Sequence, residues 1–90
     1  MSGINGVKYK LMPTSPSANL EDIEKAAKEI VEEFGGKNKE YSIEEIAFGL
    51  KAVIVFFFYS DDKNIDSIEP KFARIDDVAS VQLIDMRKIA

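Results

Sequence analysis

Bond chemistry at a protein site needs a group that can move a proton, attack an electrophile or hold a metal. This chain of 90 residues has no cysteine and no histidine. Thiol nucleophiles, disulfides, Cys-ligated zinc, iron–sulfur clusters and imidazole bases are therefore excluded. Carboxylates, lysines and hydroxyls remain. Among the carboxylates, Glu44-Glu45 is adjacent in or beside a strand, and Asp61-Asp62 and Asp76-Asp77 are adjacent pairs in loops. Neighbours in an extended segment point to opposite sides, so such a pair does not converge on one atom. Asp61-Asp62-Lys63-Asn64 lacks the alternating ligands and closing glutamate of a calcium loop and reads as a solvated acidic loop. No P-loop, dinucleotide fingerprint or nucleophile elbow occurs. The expectation is a binding protein with no catalytic residue, no metal and no cofactor.

Two features could do non-covalent chemistry. Ile46-Ala47-Phe48-Gly49-Leu50-Lys51-Ala52 places a Phe beside a Gly in a turn between strands. The glycine permits the reversal. The Phe then either projects from the turn or, as composition alone favours, tucks into the core. The second feature is the run Ala52 to Tyr59, which is apolar in both parities: Val53, Val55, Phe57 and Tyr59 on one, Ala52, Ile54, Phe56 and Phe58 on the other. A sheet with one wet face should alternate. The second face is thus expected to be covered by loops or the N-terminal arm, or to receive a partner or a second copy of the chain as a homodimer.

These features need elements to hold them. The length fits a single domain over residues 1–90, with Met1 to Gly6, small and polar, expected to fray. Val7 to Met12 alternates as a half-buried strand, and Pro13 to Ser17 breaks it. Asn19 is a helix cap with Glu21 and Asp22 on the first turn. Leu20, Ile23, Ala27, Ile30, Val31 and Phe34 form one apolar face, and Gly35-Gly36 ends the helix. Tyr41, Ile43 and Ile46 suggest a more polar edge strand, followed by the Phe-Gly turn and the apolar central strand. Ile65, Ile68, Phe72 and Ile75 have helical spacing around Pro70, which places the helix start near Ile68 with Ser67 as its cap. Ser80 to Met86 is the last strand. The order β-α-β-β-α-β implies an α+β, ferredoxin-like sandwich: a four-stranded antiparallel sheet with both helices on one face. Leu11, Ile23, Ala27, Ile30, Val53, Val55, Phe57, Phe72, Val81 and Leu83 are its expected core.

The chain carries 16 acids against 12 bases, a formal charge of −4, which argues against nucleic-acid binding driven by phosphate neutralisation. Met1 to Lys10 holds no apolar stretch of a secretory signal, and the central run is too short for a bilayer, which needs about 20 residues. A cytoplasmic protein without membrane contact is expected.

With these residues in place, Ile46 to Ala52 resembles the signature of archaeal elongation factor 1-beta, the guanine nucleotide exchange factor of translation elongation factor 1-alpha. The resemblance extends through Leu11-Met12-Pro13, Asn19-Leu20-Glu21, Val78-Ala79-Ser80-Val81 and Asp85-Met86-Arg87-Lys88, and so covers nearly the whole chain. It implies exchange of GDP for GTP with no bond chemistry in the factor. Phe48 would be a wedge into the GTPase, Gly49 the residue that makes the turn, Lys51 a contact or support, and Lys88 a cation reaching the nucleotide's magnesium and phosphate site. The competing reading is an RNA-binding module whose open sheet face stacks bases on Phe56 and Phe58. The charge, and the absence of an RNP1-like basic Gly-Phe run, count against it.

Overall fold

The computed structural model describes residues 3–90. Its strands are β1 (Ile4–Pro13), β2 (Lys37–Glu45), β3 (Lys51–Ser60) and β4 (Val78–Lys88), and its helices are α1 (Leu20–Phe34) and α2 (Glu69–Ala73). The strands form one sheet in the order β2-β3-β1-β4 with every neighbouring pair antiparallel. This is the expected ferredoxin-like arrangement.

Helix α1 begins and ends where its capping residues dictate. The Asn19 side chain accepts from the Asp22 amide at 3.2 Å, and Gly35 closes the helix at φ +89°. Ile23, Ala27 and Val31 on its inner face are buried against the sheet. The central strand keeps the expected register: Val53, Val55, Phe57 and Tyr59 turn inward with Val7, Tyr9 and Leu11 of β1. Phe57 packs edge-on against Phe72 of α2 and Phe34 of α1, so one ring joins both helices to the sheet.

Several expectations are corrected. Ile4 to Gly6 are not frayed but belong to β1, paired with β3, and Asn5 and Gly6 also pair with β4; Met1 and Ser2 lie outside the described residues. Ser67 does not cap α2. It belongs to a separate 3₁₀ turn, Ile65–Ser67, which Asn64 caps by accepting from the Asp66 amide, and the Ser67 hydroxyl donates to the Asn64 carbonyl. The α-helix proper then runs for five residues from the Ile68 cap, with Pro70 in its first turn, where no hydrogen bond is lost. Leu83 is not core but 44 % exposed, and Ile30 and Val81 are half-buried. The reason lies in the edge strand and its short cover. Lys8 is opposite Asp85 and Tyr9 opposite Leu83, so Ile84 is an extra residue in β4. This bulge brings Leu83 and Met86 to the helix side together, beyond what a five-residue helix can shield. Lys88, expected just past β4, is its last residue.

The second face of β3 is covered from within. Ile54, Phe56 and Phe58 are half-buried. The Lys8 ammonium lies 5.4 Å from the centre of the Phe56 ring and that of Lys39 4.9 Å from Phe58. The aliphatic stems of such lysines shield apolar surface while their charges stay wet. A side chain at Gly6 would come within 3.1 Å of Ile89 and 3.2 Å of Phe56, so this glycine lets the C-terminal Ile89 fold down beside the ring. The cover is the chain's own, although its carboxyl-terminal end and strand lysines supply it rather than the N-terminal arm.

Candidate functional site

The β2–β3 hairpin closes through Ile46 to Leu50. The Ile46 amide donates to the Leu50 carbonyl and the Leu50 amide to the Ala47 carbonyl, each at 2.9 Å. The two residues between, Phe48 at φ +54° and Gly49 at φ +80°, both occupy the left-handed region that a type I′ turn demands. Glycine takes that conformation freely. A bulky residue there is an outlier that costs on the order of 1–2 kcal/mol. Phe48 is also 97 % exposed, so its ring gains nothing from the core to offset the strain. It projects and does not tuck. Folding alone would place Asn or Gly here; an aromatic held out in this way suits insertion into something else.

Lys51 opens β3 one turn away from this tip, exposed and opposite Glu45. Phe48, Gly49 and Lys51 therefore share one end of the molecule.

Lys88 occupies the other end. It stands opposite Asn5 on β1, whereas the start of β3 lies beside Leu11. Between those two rungs β1 runs about 20 Å at about 3.3 Å per residue, and the hairpin tip extends further. The body is 45 Å long and 20 by 17 Å across, so the two ends share one elongated surface without meeting. The Lys88 ammonium lies 3.1 Å from Oδ2 of Asp61. The same carboxylate accepts from the Gly3 amide at 3.1 Å and from the Asn5 side-chain amide. The hydrogen bond from Asn5, followed by that from Lys88, holds the Asp61 carboxyl below its usual range. Sequence reasoning left Asp61 in a solvated loop. The signal was present in the topology: with β1 between β3 and β4, the ends of both outer neighbours must lie beside its start.

Among the described residues no cluster of three or more His, Cys, Asp or Glu is placed to hold a metal ion, and no helix is long and apolar enough to cross a membrane.

A family model described as "EF-1 guanine nucleotide exchange domain" matches residues 6–89. Similar proteins include elongation factor 1-beta of Methanococcus vannielii, 36 % identical over 88 % of this chain and 90 % of its own length. Elongation factor 1-beta of Haloarcula marismortui is 35 % identical over 84 % of this chain and 86 % of its own length. That of Methanococcus aeolicus is 33 % identical over 93 % and 96 % respectively.

Proposed function

The chain belongs to the EF-1 guanine nucleotide exchange domain family, and from that premise we propose that it promotes exchange of GDP for GTP on elongation factor 1-alpha. It acts as a single exchange domain in the cytoplasm, without bond chemistry or a cofactor of its own. Phe48 is the wedge, Gly49 makes its turn, Lys51 supports the contact, and Lys88 meets the nucleotide's magnesium and phosphate site. The observation that carries this reading is the strained, almost fully exposed Phe48 at the hairpin tip.

The energetics are those of linked binding. A factor speeds nucleotide release only if it binds the emptied GTPase better than the loaded one. The turn already fixes the backbone that presents the ring, so insertion costs only the ring's own rotamer freedom, and its burial gives differential affinity for an opened pocket. An ammonium beside a phosphate can replace part of the metal's charge. The RNA-binding alternative is disfavoured by the lysines over Phe56 and Phe58, which occupy ring faces that a stacking base would need. The same self-cover makes a homodimer through the open face unnecessary to shield those rings.

Release of labelled GDP from purified elongation factor 1-alpha tests the proposal. Phe48→Ala is expected to weaken binding by about 2 kcal/mol or more, the size of an interface hot spot. Lys88→Ala is expected to slow release while keeping more of the affinity. Wild-type rates from both variants would rule the mechanism out.

A further inference from the structure

We propose that Asp61 is a positioning residue for Lys88, fixing where its ammonium is presented to the GTPase. The inference rests on the reading of Lys88 given above. The backbone on either side of that lysine is already held. Ile89 donates to the Ile4 carbonyl at 2.7 Å, and the Ile4 amide donates to the Ala90 carbonyl at 2.7 Å. What stays free is the long side chain, which loses substantial rotamer freedom whenever its end must occupy one place.

Asp61 restricts that freedom beforehand, because its carboxylate is itself anchored. It follows the last residue of β3, its own amide donates to the Gly3 carbonyl at 2.9 Å, and its oxygens accept from Gly3 and Asn5. Lys88 thus meets a partner fixed to two other strands rather than a loose loop carboxylate. The pair is solvent-exposed, so it adds little to global stability. Choosing a rotamer is a different task, and weak pairing is enough for it.

The lysine is oriented without being sequestered. An ammonium has three donors, and Asp61 engages it from one side. The Lys88 side chain remains 67 % exposed, leaving donors free for a phosphate oxygen. A carboxyl held below its usual range also stays ionised at neutral pH.

The test measures maximal stimulated GDP release and the half-saturating factor concentration for Asp61→Asn, Lys88→Ala and the double variant. Asparagine keeps one oxygen to accept from Asn5 while its amide nitrogen replaces the oxygen that takes Gly3 and Lys88, and the backbone bond from residue 61 to the Gly3 carbonyl keeps the strand ends joined. In the wild-type background Asp61→Asn should lower the maximal rate about two- to fivefold, the range set by coupling across an exposed pair. The half-saturating concentration should hold, and the substitution should change nothing when Lys88 is already Ala. An equal loss in both backgrounds would mean a merely structural role and overturn the inference. So would an unchanged or faster rate in Asp61→Asn. If Lys88→Ala itself is slow while Asp61→Asn matches wild type, only the positioning role fails. If Lys88→Ala releases GDP at the wild-type rate, the reading of Lys88 fails and the inference with it.

Discussion

Phe48 is where local stability and the proposed function oppose each other. Its φ of +54° beside Gly49 at +80° is a conformation for which Asn-Gly is the favoured pair. Phe48→Asn should therefore raise the unfolding free energy by about 1 kcal/mol, by relieving left-handed strain without exposing anything new. Stimulated GDP release should fall to near background in the same variant, since no wedge remains. Urea titration and the release assay check the two halves. A variant that is both less stable and inactive would contradict this account of the turn. The sequence showed that Phe48 lies in a turn but left its direction open, because composition favours the core for any Phe. The backbone decides the matter: a two-residue turn at the end of a hairpin has no core within reach.

At the scale of elements, strength of pattern decided what could be read. Helix α1 was legible end to end because its cap, apolar stripe and terminal glycine agree. The α2 region was not, because its apolar spacing continues across a 3₁₀ turn and a helix with different caps. Alternation places Leu83 on the helix side, opposite Tyr9, but on an edge strand that the five-residue α2 is too short to cover. The consequence is measurable. Phe72, fully buried between α2, Tyr9 and Phe57, should cost about 3–5 kcal/mol when changed to Ala. Leu83→Ala should cost less than about 1 kcal/mol, since much of its surface is already in water. Chemical denaturation of both variants checks the contrast, and a large loss at Leu83 would show that the edge of β4 is better covered than its exposure indicates.

At the scale of the whole molecule, no charged side chain among the described residues is buried in the core, and the chain has no histidine to titrate near neutrality. The shifted groups lie at the ends of the pH scale, Asp61 at the acid end and the phenols of Tyr9, Tyr41 and Tyr59 at the alkaline end. Asp61 has its carboxyl lowered by Asn5 and Lys88, so its contribution is present above the ordinary carboxylate range and is lost as pH falls through its folded value. Being exposed and screened, it should make only a shallow acid limb. Tyr9 is the opposite case: burial, then the charge of Glu69, pushes its phenol up from 10.0 to about 12. The unfolded chain therefore releases this proton first, and folding favours the neutral ring. That contribution is complete below pH 10 and disappears as pH rises towards 12, a loss on the order of 2 kcal/mol. Tyr59 is shifted in the same direction, chiefly by burial, and adds to the alkaline limb. Stability to urea should thus be nearly flat from about pH 5 to pH 9 and fall steeply above pH 10. Tyr9→Phe keeps the ring that stacks on Phe57 and meets Phe72 while removing the ionisable hydroxyl. The variant should lose a substantial part of the alkaline fall. An equally steep fall in Tyr9→Phe would place its origin in Tyr41 and Tyr59, whose phenols burial also raises.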